Sequence, residues 1–239
     1  MQKTKRADPS PENIRTMFDA IAPTYDFLNH LLSFGLDIRW RKKAIKHLQE
    51  KRSGMILDIA SGSGDCSLAA MKIQPRMIVA TDFAQQMLKV FQQKLNVHQG
   101  SSIIQLITCD ALSLPFRNES FDGTMVAFGI RNFADKLYAL NEMLRVLKPN
   151  GVSVILELTQ PQTPVIAQLY SLYTQWGLPL VGKIISRHNA AYRYLPESIA
   201  IFPNQQEFLA LMTKAEFVDA HACSLSFGIA TIYVGRKRK

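Results

Sequence analysis

Cysteine is scarce. The chain has three, Cys66, Cys109 and Cys223, and no two of them form a C-x-x-C pair or a metal-ligand spacing. That excludes a disulfide framework and a zinc module, and leaves three small hydrophobes expected in a reducing compartment. Charge is modest, at 20% of residues against 47% hydrophobic, which excludes disorder as a whole-chain state. No repeat period and no low-complexity block breaks the sequence. Residues 1–10 are polar and lack the apolar core of a signal peptide. A mean hydropathy of −0.01 argues against a polytopic membrane protein. Uncharged sequence is lacking too, except between Leu158 and Gly182. That stretch is long enough to span a bilayer, but Pro161, Pro164, Pro179 and four glutamines interrupt it. It reads as a surface or lid helix over an apolar ligand site.

What is present is basic, and unevenly so. The net charge is +9. Residues 1–55 hold 11 Lys/Arg against 6 Asp/Glu, residues 56–235 hold 13 against 13, and residues 236–239 are Arg-Lys-Arg-Lys. Terminal basicity suits an anionic membrane surface or a nucleic acid. The balanced middle offers no extended basic stripe, which weakens the nucleic-acid reading.

The 239 residues fit one domain. Residues 1–12 read as a loose arm. Ile14, Met17, Phe18 and Ile21 predict helix within 13–32, and a second, basic helix is expected over 38–48. Short apolar runs at 55–59, 77–81, 103–108, 121–128 and 152–158 predict strands. Helices are expected from 67, over 84–95 and over 136–147, and residues 225–235 are expected to supply a final strand pair. Strands alternating with helices imply βαβ units and a parallel sheet covered on both faces.

The strongest local signal is Asp58-Ile-Ala-Ser-Gly62-Ser-Gly64-Asp65, directly after the first strand. Glycines there allow a sharp turn at the carboxyl end of a strand, where open α/β sheets bind ligands. Asp82 ends the second strand, where a carboxylate can accept both hydroxyls of a ribose. Ser67 stands where a dinucleotide fingerprint wants its third glycine, so a nicotinamide oxidoreductase is disfavoured. Asp58 suits a ligand with a cationic amino-acid end. S-adenosylmethionine has such an end and no pyrophosphate. Asp110 and Ala111, after the third strand, lie where an adenine amino group would need an acceptor. No D/N-P-P-Y loop follows the fourth strand and no cysteine follows a proline, so nucleobase methylation is not indicated.

From about Ile14 to Gly235 the chain resembles the quinone C-methyltransferases that make menaquinone and ubiquinone. Tyr25-Asp-Phe-Leu-Asn29 with Trp40, Phe128-Gly-Ile-Arg-Asn132, and Tyr192-Arg-Tyr-Leu-Pro-Glu-Ser198 carry the likeness most specifically. The glycine loop and Arg145-Val-Leu-Lys-Pro149 are shared with many methyltransferases. Departures are Asp37 where the family usually has His, Ser63 for Thr, Asn150 for Gly and Thr159 for Ser; Asn tolerates positive φ, so the turn at 150 can persist.

The resemblance implies an α/β, class I (Rossmann-like) methyltransferase with a mostly parallel seven-stranded sheet and helices on both faces. It implies one domain over 13–235, with cap helices at 13–50, a helical lid insertion at 158–200 and a basic tail at 236–239. The implied reaction is S-adenosylmethionine-dependent C-methylation of demethylmenaquinol, with the methoxy-benzoquinol step of ubiquinone synthesis as alternative. Asp58, Gly62, Ser63, Gly64, Asp82, Asp110 and Ala111 would bind the cofactor, Arg131, Asn132 and Tyr25 would serve catalysis, and Tyr192 and Trp176 would touch the quinol. No metal is expected, because the sulfonium already activates the methyl. The implied partner is a polyprenylated quinol, at a peripheral contact with the inner face of the membrane from the cytoplasm. The uncharged stretch would equally suit a homodimer face.

Overall fold

A computed structural model describes residues 10–173 and 189–239. Trp176 and the rest of residues 174–182 of the uncharged stretch therefore lie outside the described residues. Helix α1 (Pro11–Ile21) starts on Ser10, whose hydroxyl accepts the Asn13 amide. It is followed by α2 (Tyr25–Leu32) and α3 (Leu36–Lys46). The single helix expected within 13–32 is thus broken: Ala22–Thr24 forms a 3-10 turn around Pro23, which lacks an amide hydrogen. The break puts Tyr25 at the start of a separate helix, α2.

Strand β1 (Met55–Ile59) leads through the glycine loop into α4 (Asp65–Ala70). Then follow β2 (Met77–Asp82), α5 (Gln85–Val97), β3 (Ile104–Thr108), β4 (Phe121–Ala127), α6 (Lys136–Val146) and β5 (Leu147–Leu158). After α7 (Pro164–Leu172), α8 (Asn189–Ala200) and α9 (Gln205–Lys214) come β6 (Val218–Leu225) and β7 (Ala230–Arg236). Two expectations need correction. The final strand pair begins at Val218, not at 225. Strand β5 begins at Leu147, because Phe121 pairs with Leu147 and Gly123 with Val152, so residues 148–151 loop out of a continuous strand. Asn150 takes φ +61 in that loop, as a residue replacing glycine there must.

The seven strands order as β3-β2-β1-β4-β5-β7-β6. The first five are parallel, and β7 runs antiparallel to both β5 and β6. Alternation along each strand supplies two cores. Ile56, Ile78, Val154 and Ile232 face α3, α4 and α5, while Leu57, Val79, Ile155 and Tyr233 face α6 and α9. A small third cluster, Ile21, Ala22, Ala84 and Met87 with Phe18 and Tyr25 against it, fastens the amino-terminal helices to α5. Arg236 belongs to β7, and Lys237 exchanges backbone hydrogen bonds with Asn150 and Gly151, so only the last two residues extend past the sheet. No helix of the described residues is long and apolar enough to cross a membrane.

Candidate active site

A cleft of about 1010 Å³ opens at the carboxyl ends of β1, β2, β3 and β4, where the order reverses from β1-β2 to β1-β4. All seven residues expected to bind the cofactor belong to this region, and six of them line the cleft: Asp58, Gly62, Ser63, Asp82, Asp110 and Ala111. Gly64 does not. It has φ +88, and a Cβ there would lie 2.1 Å from the ring of Phe91, so its role is to let α4 pack on α5. Gly62, at φ +55, has room for a side chain but a conformation that suits glycine.

Asp82 holds the glycine loop. One carboxylate oxygen accepts the Gly62 amide and the other the Ala84 amide, each at 2.8 Å. Burial pushes its carboxyl up to about 6 despite those amides. Asp58 is fully buried, and Oδ2 accepts the Ser67 hydroxyl at 2.6 Å. Ser67, the residue that spoils a dinucleotide fingerprint, is thus a positioning group for Asp58. The other oxygen, Oδ1, has no hydrogen-bond partner among the described residues. Burial, only partly offset by Ser67, pushes the Asp58 carboxyl up to about 7. A buried, half-satisfied carboxylate on a cleft wall fits a cationic ligand group, and the residues present therefore fit S-adenosylmethionine.

The Ser63 hydroxyl donates to Asp26 of α2, and Lys94 of α5 bridges Asp26 and Asp65 at 2.6 Å each. The cap is thus tied to the loop by charge. His30 is not an isolated surface histidine: Nδ1 lies 2.8 Å from Asp37 and Nε2 3.5 Å from Asp65. Asp37 accepts from Ser33 and pairs with Arg41. Burial pushes its carboxyl up, but the Ser33 hydroxyl and the Arg41 guanidinium outweigh burial and hold it below the usual range.

A second cleft of about 660 Å³ lies beneath α2 and α7. It shares Tyr25, Arg41 and Phe128 with the first. Phe128 has φ +61, unfavourable for an aromatic residue, and the Arg41 guanidinium stands 5.2 Å over its ring. Arg131 lines this second cleft and Asn132 the first, so the two adjacent residues face different compartments. Arg131 is buried and donates from Nη1 to Glu157 at 2.8 Å, from Nε to Ser198 at 3.3 Å, and from Nη1 to the Phe128 carbonyl. Its amide donates to the other Glu157 oxygen at 3.0 Å. Burial disfavours the guanidinium, but Glu157 outweighs burial and holds it protonated. Burial also pushes up the Tyr25 hydroxyl, against the pull of Arg131, and takes that of Tyr170 to about 12. Asn132 accepts the Tyr194 hydroxyl at 2.9 Å.

Tyr192 is on α8, but its side chain lies outside the described residues, as does the whole of Trp176. Sequence reasoning missed Arg41, Glu157 and Tyr194 as site residues. Asp37 and Arg41 stand at i and i+4, but the predicted helix begins at 38, so it does not show the pairing; the observed helix begins at Leu36 and includes both.

The model of the ubiE/COQ5 methyltransferase family matches residues 3–237. A Geobacter sulfurreducens protein named ubiquinone/menaquinone biosynthesis C-methyltransferase is 44% identical over 230 residues, covering 95% of this chain and 89% of that protein. A demethylmenaquinone methyltransferase of Bacteroides fragilis is 41% identical over 227 residues, covering 95% and 93%. Among solved structures, a SAM-dependent methyltransferase of Thermotoga maritima matches at TM-score 0.62 and 18% identity over 93% of this chain and 100% of that one, a likeness of fold.

Proposed function

The chain belongs to the ubiE/COQ5 methyltransferase family, and from that premise we infer that it transfers a methyl group from S-adenosylmethionine to a ring carbon of demethylmenaquinol, giving menaquinol. The observation that carries the reading is the pair of clefts meeting at one wall of Tyr25, Arg41 and Phe128, one with buried carboxylates and one largely apolar with Arg131 in it. The methoxy-benzoquinol of ubiquinone synthesis is the second acceptor, favoured by the name of the Geobacter sulfurreducens relative.

In this reading Asp82 takes the ribose hydroxyls, Asp110 and Ala111 the adenine, and Asp58, Gly62, Ser63 and Gly64 shape the amino-acid end. When bound, S-adenosylmethionine supplies a methyl already activated by its sulfonium. The residues of the second cleft prepare the carbon. A quinol hydroxyl must lose its proton, at least in part, for the ring carbon beside it to become nucleophilic; once that carbon carries the methyl, its own hydrogen leaves as a proton and the oxygen regains one, so each turnover releases one proton in all. Arg131 stabilises the resulting phenolate-like charge through donors not taken by Glu157. It is not the base, because Glu157 keeps it charged. Tyr25 and Tyr170 hold their protons, so they donate hydrogen bonds rather than accept the proton. Asp37 is the one carboxylate among the described residues lining that cleft, but Ser33, His30 and Arg41 occupy its oxygens and hold its carboxyl low, so this reading keeps it as a fixed negative charge and gives the proton to solvent. Asn132, fixed by Tyr194, closes the cofactor side.

We treat residues 13–235 as one domain, 13–50 as its cap and 158–200 as its lid. Along α7 and its C-cap the helical period turns Tyr170 and Tyr173 toward the second cleft and leaves Leu169 and Leu172 exposed. The lid would guide the isoprenoid tail, with Trp176 and Tyr192 contributing, at the inner face of a membrane that the protein touches from the cytoplasm.

The test is mass spectrometry of quinones after incubating purified protein with S-adenosylmethionine and each reduced precursor separately. One methyl gained on the naphthoquinol is the expected result. A gain on both rings makes the enzyme serve both pathways, and a gain on neither, with cofactor binding intact, removes the acceptor from the reading.

A further inference from the structure

Two phenylalanines stand out on the surface. Phe34, in the turn between α2 and α3, is 81% exposed, and Phe227, in the turn between β6 and β7, is 78% exposed. Both also have positive φ, +52 and +59. A solvent-facing turn residue in the left-handed region is ordinarily glycine or asparagine, as Gly35 beside Phe34 is. A bulky aromatic there is unfavourable in backbone and in hydration at once, and the chain does this twice.

The two turns flank the same cleft. Phe34 follows Ser33 and Phe227 precedes Ile229 by two residues, and Ser33 and Ile229 both line the second cleft. Side-chain contacts fix the arrangement. The Trp40 indole of α3 donates to Ser226 at 2.9 Å, and the Tyr173 hydroxyl after α7 donates to the Leu32 carbonyl at 2.8 Å. The rings of Phe34 and Tyr173 are 6.2 Å apart. On α7, Val165, Leu169 and Leu172 are exposed at i, i+4 and i+7, one apolar stripe on the helix that ends beside Phe34. From these tips α3 runs back along the sheet, exposing Arg39 nearest to them and then Lys42, Lys43 and Lys46, none with an ion-pair partner among the described residues.

We propose that the α2–α3 turn, the β6–β7 turn and the outer face of α7 form a docking surface for an anionic lipid bilayer, with Phe34 and Phe227 inserted below the headgroups. The inference rests on the quinol reading above, since it places the mouth of the acceptor cleft against the phase that dissolves a polyprenylated quinol. Charge selects this occupant. Apolar tips bordered by unpaired cations match a negatively charged interface, where lysine and arginine stems lie along apolar material with their heads at the phosphates. A second copy of the chain fits worse, because a twofold contact would set the α3 cations of one protomer near those of the other.

The experiment is flotation of the full-length protein with vesicles of phosphatidylcholine alone and with about a third phosphatidylglycerol. Wild type should bind the anionic vesicles about tenfold more tightly, and added salt should reduce the difference. Asparagine suits the left-handed turn positions, so the double variant Phe34→Asn/Phe227→Asn should fold normally and lose on the order of tenfold in vesicle affinity. Lys42→Glu/Lys43→Glu should abolish the preference for anionic vesicles. All variants should methylate a short-tailed, water-soluble quinol within about twofold of wild type, and lose turnover on a long-tailed quinol held in vesicles in proportion to binding. Vesicle affinity unchanged in both double variants overturns the surface while leaving the quinol reading intact. Normal vesicle binding with no methylation of any quinol overturns the reading instead. A wild-type dimer by light scattering that becomes monomeric on Phe34→Asn, without change in vesicle binding, assigns the surface to a second copy and overturns the proposal.

Discussion

The cofactor-side cleft and the acceptor-side cleft touch along one wall, yet they are held together differently. The first is a product of the sheet: Asp82 receives two backbone amides, the Ser61 amide bonds the Thr81 carbonyl, and the loop after β1 is anchored before any distant side chain arrives. The second is assembled by side chains from α2, α3, α7, α8 and the strand ends, through Arg131–Glu157, Arg131–Ser198 and Tyr194–Asn132. Anchoring to backbone amides rests on few side chains, Asp82 first among them, whereas a side-chain assembly fails when any one of its members is removed. The adenosyl end thus meets a rigid frame and the quinol meets a set of mutually dependent groups.

The largest effect expected from breaking this contrast is at Arg131. Arg131→Gln leaves Glu157 fully buried with only amide donors, which should destabilise the fold by about 3–5 kcal/mol and lower methyl transfer by roughly 10²–10³. Urea unfolding and single-turnover rates measure the two. Cofactor affinity, read by calorimetry, should fall less than threefold, because the sheet-built cleft does not depend on the arginine. A large loss of cofactor affinity would show the two clefts to be one cooperative unit.

The same contrast decided what could be read from sequence. Strand β1 is legible to the residue, because Met55-Ile-Leu-Asp-Ile59 is a buried run stopped by glycine, and the carboxylates at its end and at the end of β2 follow from strand position. The break at Ala22–Thr24 was signalled by Pro23 and obscured by the apolar period running through it. Residues 148–151 read as a turn, which hid that β5 resumes the same strand on either side of them. Glu157 was visible as a residue but not as the partner of Arg131, because 26 positions separate them and only the β4–β5 pairing brings them together. His30 reaches Asp65 only because α3 packs on both α2 and α4, which no local spacing encodes.

A middle-sized effect concerns pH, and it should be confined to the cofactor side. The folded-state carboxyl of Asp58 titrates near 7, above its unfolded value of about 4. Between those values the folded protein holds a proton that the unfolded chain has released, so stability of the ligand-free protein should fall as pH rises from about 4 to about 7 and level off above. Affinity for a cationic ligand end should do the opposite, weakening about tenfold per pH unit below 7, with Asp82 steepening the loss below about 6. Calorimetric titration of S-adenosylmethionine at pH 6 and pH 8 measures it. In Asp58→Asn the affinity should be lower and its pH dependence between 6 and 8 lost. Persistence of the full dependence would move the cationic end away from Asp58.

The smallest effect tests whether the cap is coupled to the sheet by charge alone. Lys94 is the bridge: it pairs Asp26 of α2 with Asp65 at the start of α4, and Asp26 in turn holds the Ser63 hydroxyl of the cofactor loop. The lysine is about a quarter exposed, and such partly solvated pairs contribute roughly 0.5–1 kcal/mol. Lys94→Met keeps an aliphatic stem at this position of α5 and removes only the charge. Amide exchange in α2 should then speed up by about two- to fivefold while exchange in β1 and β2 stays unchanged, since local opening of the cap draws on fewer buried contacts than opening of the sheet. KM for the quinol should rise by a similar factor, because Tyr25, which lines both clefts, travels with α2. Equal acceleration in β1 would mean that cap and sheet open together, and the side-chain assembly would then be as deeply anchored as the backbone frame it covers.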